Sequence, residues 1–302
     1  DDRTSRGLGD VYKRQLSGAS GGKVNTSISM KKADAFLSSP RHSLVMTHIL
    51  NDFIVALNTN KVSARELVEN CLAAIDNPEG EGQRTFISTY HDRAQQQADM
   101  VDQARKRGWG VPKFAGIPLS IKDLFDEAGC VTKAGSTVLR AATPAIQDAS
   151  VVARLKAAGF IVIGRTNMTE FAFSGLGTNV HYGTPRSPYE RDPKNPEIGR
   201  VAGGSSSGSA VSISDRMAVA TIGSDTGGST RAPAAFCGIV GFKPTTNRMP
   251  SHGIFPLSTS FDAAGPMGTT VGCCAILDSL MAGEDGQSVT PFPMNKLRLA
   301  IP

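Results

Sequence analysis

Apolar residues recur at helical spacing in two stretches early in the chain, and a third stretch is helical in composition. Ile49, Phe53, Ile54 and Leu57 form one short apolar stripe, and Leu67, Cys71, Leu72 and Ile75 form another. The second stripe follows Ser63-Ala64-Arg65-Glu66, a capping box in which hydroxyl and carboxylate satisfy each other's backbone amides. A third helical pattern runs from Arg93 to Lys106 and stops at Gly108. These helices are expected to form a layer over the core. Ile117-Pro118-Leu119-Ser120-Ile121 then reads as a strand ending at Lys122-Asp123. Asp148 to Ala158 reads as a helix stopped by Gly159, Phe160 to Ile163 as a fully buried strand, and Met168 to Phe173 as the next helix. Pro and charge make residues 185–199 a surface loop. Ser209 to Ser214 looks helical, Met217 to Ile222 looks like a strand, and Thr230 to Phe236 begins a helix with Pro233 in its first turn. Leu297 to Pro302 looks like a final strand. The alternation of strand and helix predicts an α/β sheet with parallel pairs.

Charge does not point to a nucleic-acid partner. Residues 1–32 hold seven Lys/Arg against three acids and so account for +4 of the formal +5, which leaves +1 for the other 270 residues. The start of the chain reads as foreign to the fold. Asp10-Val11-Tyr12-Lys13-Arg14-Gln15 resembles a translated sequencing adaptor, and residues 16–29 are Gly/Ser-rich without periodicity. Residues 1–29 are therefore expected to be a non-native or disordered leader, with Met30 or Met46 as the natural start. A targeting peptide is the competing reading, but no apolar core follows the basic residues. The five cysteines (Cys71, Cys130, Cys237, Cys273, Cys274) are odd in number and lack a Cys-x-x-Cys pair. That favours reduced thiols in a cytosolic protein over a disulfide frame or zinc site. The five histidines have no ligand spacing, so no metal or other cofactor is expected. No apolar run approaches a membrane span.

The candidate chemistry lies in two glycine–serine clusters, residues 203–209 (Gly-Gly-Ser-Ser-Ser-Gly-Ser) and 223–229 (Gly-Ser-Asp-Thr-Gly-Gly-Ser), with Ser205 and Ser229 24 positions apart. One such cluster usually means a flexible loop. Two of them flanking a helix and a strand predict two turns brought to one end of a sheet. Glycine admits close backbone approach, and serine supplies a nucleophile or relay. A serine hydroxyl needs a base, and no histidine lies near either cluster. Lys122 can serve if burial keeps its amine neutral. Its neighbour Asp123 could instead pair with it and hold it charged. Phosphate-loop readings fail on spacing: Ser209-Ala210 stands where a P-loop needs Lys then Ser/Thr, and Gly175-Leu176-Gly177-Thr178-Asn179-Val180 lacks its third glycine.

Both clusters, with the continuation from Thr230 to Thr245, resemble the amidase signature family. Gly116 to Asp123, Gly164 to Phe171 and Asp262-Ala263-Ala264-Gly265-Pro266-Met267 are similar to further motifs of that family, in the same order. The resemblance runs from Met46 to the end of the chain. It implies a mixed central β-sheet covered by helices on both faces, filling residues 30–302 and incomplete at its C-terminus. It also implies Ser229 as nucleophile, Ser205 as bridging serine after a cis Gly204–Ser205 peptide, and Lys122 as base. The amides of Thr226, Gly227, Gly228 and Ser229 would form the oxyanion hole, Ser206 and Arg231 would brace the loops, and Phe173 and Ser174 would line the acyl pocket.

The function so implied is hydrolysis of a small-molecule carboxylic amide through a seryl acyl-enzyme. One alternative is the glutamine-hydrolysing component of a tRNA-dependent amidotransferase, with partner subunits. That component's first cluster usually reads Gly-Gly-Ser-Ser-Gly-Gly-Ser, and Ser207 here replaces a glycine. Homo-oligomerisation is open. The alternative of another class is a truncated, non-catalytic remnant or scaffold.

Overall fold

The computed structural model describes residues 50–192, 195, 198–287, 293, 297 and 298. The expected leader, both candidate start methionines, Ile49, and His42 and His48 lie outside the described residues. So do residues 299–302 of the expected final strand, while Leu297 and Arg298 have no regular structure.

Four helices come first: α1 (Leu50–Asn58), α2 (Ala64–Asp76), α3 (Gly82–Thr85) and α4 (His91–Lys106), with strand β1 (Phe86–Thr89) between the last two. The capping box forms as the sequence predicts. The Glu66 amide donates to Ser63 Oγ at 3.0 Å, and the Ser63 amide donates to Glu66 Oε2 at 2.7 Å. The next two orphan amides of α2, those of Ala64 and Arg65, donate to Asp102 on α4, so capping and helix packing are one arrangement.

Strands β2 (Pro118–Lys122), β3 (Ile161–Thr166), β4 (Ala220–Asp225), β5 (Val240–Gly241) and β6 (Ala263–Gly268) join β1 in one sheet of order β1-β3-β2-β4-β6-β5. β2 runs parallel to β3 and β4, and the other pairs are antiparallel, so the sheet is mixed. Helices α5 (Ser150–Ala157), α6 (Ser207–Ser214), α7 (Arg231–Cys237) and α8 (Val271–Ala282) complete the described elements.

The two faces of the sheet differ in chemistry. Ser120 on β2 and Thr221 on β4 are cross-strand partners and bond to each other, and Ser120 also bonds Ser212 of α6 at 2.8 Å. Thr166 of β3 meets Ser209 of the same helix at 2.8 Å. Small hydroxyl side chains thus let α6 sit close on the sheet, and every residue of Ser207–Ile213 is buried. The alternate positions Leu119, Ile121 and Ile222 point to the other face. There they share an apolar cluster with Val151, Leu155, Ile276 and Leu277 of α5 and α8.

Three expectations need correction. Residues 168–173 form no helix beyond a 3-10 turn at Glu170–Ala172. The Thr169 amide donates to the Ser205 carbonyl and the Phe171 amide to that of Ala134, which pulls Phe171 and Ala172 to positive φ. The strand expected at 217–222 starts three residues later, because the Met217 and Ala218 amides cap the Ser212 carbonyl of α6. The loop of residues 185–199 is not wholly superficial: Arg186 pairs with buried Glu81, and Ser187 is buried.

Candidate active site

β2 ends on Lys122, whose side chain is fully buried. Its amine end meets hydroxyls: Lys122 Nζ lies 2.6 Å from Ser205 Oγ and 2.9 Å from Ser224 Oγ. Burial drives its pKa down to about 7, against the opposing pull of the Asp225 and Asp262 carboxylates. Asp123 is not its ion-pair partner. Asp123 turns to the buried Arg165, whose Nε donates to it at 2.6 Å, and Gly135 adds a backbone amide.

The two clusters meet at this strand end. The Gly204–Ser205 peptide is cis. The Gly204 amide donates to the Gly175 carbonyl at 2.8 Å, and Gly177 packs so tightly on Gly203 that an added Cβ would sit 2.2 Å from its carbonyl oxygen. Glycine is the residue that fits there, since Gly177 also has φ +83°. Ser206 ties the clusters together: its amide donates to the Ser229 carbonyl at 3.2 Å and its hydroxyl to the Ser224 carbonyl at 3.3 Å. Ser229 lies at the surface margin, 9% exposed, and its hydroxyl makes no hydrogen bond among the described residues.

The turn between β4 and α7 is held by Asp225. Its carboxylate is buried and accepts from the Gly228 amide at 2.7 Å, the Thr230 amide at 3.1 Å, the Thr230 hydroxyl at 2.9 Å and the Arg231 guanidinium at 3.0 Å. Burial pushes this carboxyl up, but the bonds from Arg231, Thr230 and Gly228 outweigh it and hold the group below the usual carboxylate range. Arg231 therefore braces the turn through Asp225. Of the four amides in the turn, that of Gly228 faces Asp225, while those of Thr226, Gly227 and Ser229 bond to no group among the described residues. Phe173 is 81% exposed and lines a cavity of about 500 Å³ with Thr169, Val180 and Leu257. Ser174 closes a local turn by accepting the Leu176 amide.

Sequence reasoning did not single out Ser224, Asp225 or Asp262. Asp225 was detectable, since an aspartate three residues before Gly228 has the spacing of an N-cap or Asx turn. Ser224 had no such signal, because its contact with Lys122 spans 102 residues. Among the described residues no helix is long and apolar enough to cross a membrane.

Residues 66–298 match the family model described as Amidase. The chain is 39% identical over 234 residues to AtzE, a 1-carboxybiuret hydrolase component of Pseudomonas sp. (strain ADP) named as a subunit, covering 78% of this chain and 50% of that protein. It is 41% identical over 234 residues to a glutamyl-tRNA(Gln) amidotransferase component of Synechococcus sp. (strain WH7803), likewise named as a subunit, covering 78% and 46%. The native peptide amidase structure from Stenotrophomonas maltophilia superposes with a TM-score of 0.70 at 33% identity, over 79% of this chain and 48% of that one. The chain spans about half the length of these relatives. On the motifs, the mixed sheet and these matches together, the chain belongs to the amidase signature family.

Proposed function

We propose that residues 30–302 carry the amide-cleaving centre of a hydrolase, with Ser229 as nucleophile, Ser205 as relay and Lys122 as base. The observation that carries this reading is a buried amine at Lys122, its pKa brought to about 7, at 2.6 Å from Ser205 Oγ. In the neutral form Lys122 takes the Ser205 proton as Ser205 takes that of Ser229, and Ser229 Oγ bonds to the amide carbonyl carbon. The amides of Thr226, Gly227 and Ser229 are the available donors for the oxygen that becomes negative. The carbon–nitrogen bond then breaks, the proton returns through Ser205 to the leaving amine, and water cleaves the resulting ester to release the acid. Ser206 and Arg231 brace the two turns, and Phe173 with Ser174 forms the outer wall towards the acyl group.

A fluorophosphonate probe tests this directly. It is expected to label the protein at Ser229, and the Ser229→Ala variant is expected to take no label; label retained by that variant removes Ser229 from the mechanism. This outcome also separates an enzyme from a catalytically silent scaffold.

A second reading is that the chain is one component of a larger enzyme, since two of its relatives are named as subunits. Ser207 stands in the first cluster where glutamine-hydrolysing components usually carry glycine, which favours hydrolysis of a free amide without a tRNA. Ammonia release from glutamine only in the presence of partner proteins and aminoacyl-tRNA would decide for the amidotransferase.

A further inference from the structure

The motif from Asp262 to Met267 has a residue that the mechanism above leaves unused. Asp262 stands immediately before β6, whose first residue, Ala263, pairs with Asp225 at the end of β4. Its carboxylate is divided between two segments. One oxygen accepts the Thr226 hydroxyl, and the other accepts the amides of Leu257 and Ser258 at 2.8 and 2.9 Å. The Ser258 carbonyl in turn accepts the amides of Phe261 and Asp262, so residues 257–262 close on themselves.

An aspartate that only capped its own loop would need the Leu257 and Ser258 contacts alone. The bond to Thr226 is the informative one, because Thr226 opens the turn that ends in Ser229. The far end of that turn is fixed by Asp225 through the Gly228 amide and Thr230. Between these anchors lies Gly227, and around both it and Gly228 no heavy atom stands within 4 Å of an added Cβ. Glycine in open space has wide conformational freedom, so with the Gly228 amide held by Asp225 the direction of the Thr226 and Gly227 amides depends on what holds the Thr226 end. Thr226, Asp262, Ser224 and Leu257 also line one small cavity of about 130 Å³, which places the tether beside the hydroxyl partner of Lys122.

Building on the proposed acyl-transfer reading, we propose that Asp262 is a positioning residue. It pins the Thr226 end of the amide-bearing turn to the 257–258 wall, as Asp225 pins the other end, and so fixes the donors that receive the oxyanion. Loss of the tether leaves Ser229 and Lys122 in place and lets the Thr226 and Gly227 amides drift. Drift of this kind is costly, because small misplacements of donors slow reactions by large factors.

The test is the second-order rate of Ser229 labelling by a fluorophosphonate, read with the thermal midpoint of each variant. Asp262→Ala and Thr226→Val are each expected to slow labelling roughly 10- to 100-fold. The double variant should be no slower than either alone. Asp262→Asn is expected to restore the rate to within about 3-fold, since its amide nitrogen can donate to the Thr226 hydroxyl and its oxygen can accept both backbone amides. Asp262→Ala labelling at the wild-type rate, with or without a lowered midpoint, overturns the proposal, as does additivity of the two single variants. Should Asp262→Ala fail to fold, the isosteric Thr226→Val and the Asn variant still decide. Absence of labelling in the unaltered protein would instead remove the acyl-transfer reading, and this inference with it.

Discussion

At the scale of single residues, the proposed mechanism turns on Lys122. In the sequence it ends an apolar strand beside an aspartate, a setting equally suited to a charged lysine. The structure separates the two side chains: Asp123 goes to Arg165, and Lys122 is left with the Ser205 and Ser224 hydroxyls. An amine without a bonded carboxylate in a dry site gives up its proton more readily than one in water. Below about pH 7 it holds that proton and cannot accept another; above it the base is free. The rate of Ser229 labelling is therefore expected to rise through about pH 7. The Asp262 charge favours the protonated lysine, so Asp262→Asn should move this limb to lower pH. A limb that stays put in that variant, or a rate flat from about pH 5 to about pH 9, would contradict this account. At this scale the sequence singled out Ser205 and Ser229 by the glycines and serines clustered around them, and Lys122 by the apolar strand it ends. It was silent on Ser224, whose contact depends on strand pairing across 102 residues.

Elements come next. The capping box, α2, α4 and the buried strand β3 were legible because local periodicity and local capping determine them. The turn at 168–173 and the start of β4 were not, because their amides bond to carbonyls outside the local pattern. β6 escaped notice for another reason: Ala263-Ala264-Gly265-Pro266-Met267-Gly268 has no alternation and contains proline, and only its neighbours β4 and β5 make it a strand. The pair Asp123–Arg165 joins the residue that follows β2 to the adjacent strand β3, just at the level of Lys122. Both side chains are buried, so Arg165→Ala leaves a carboxylate stranded in the interior. That variant is expected to lose about 3–5 kcal/mol of stability, measured as a lowered urea midpoint. A loss under about 1 kcal/mol would mean that water reaches Asp123.

On the scale of the whole molecule, the described residues hold a mixed sheet whose outer strand β5 is only two residues long, and several large apolar side chains face solvent, Phe242 directly after β5 and Phe173, Val180 and Leu257 around one cavity. Phe236, Phe242 and Phe261 are 51%, 44% and 64% exposed, and Phe173 and Val180 are more exposed still. Soluble monomers rarely leave so much aromatic surface uncovered without using it for a partner or another segment. The 302-residue chain on its own is therefore expected to self-associate or bind a hydrophobic dye, read by light scattering and dye fluorescence. A dispersed monomer with no dye response would mean that these side chains are covered.

The reach of the Lys122 contacts, 83 residues to Ser205 and 102 to Ser224, has a consequence during synthesis. A ribosome releases the lysine long before either serine exists, and in a solvated nascent chain that amine is an ordinary cation. In the proposed mechanism it becomes a base only once the three central strands have closed around it, a late event for contacts so remote in sequence. On that mechanism assembly works as an interlock: the peptide stays chemically inert until the pocket that governs its reactivity is complete.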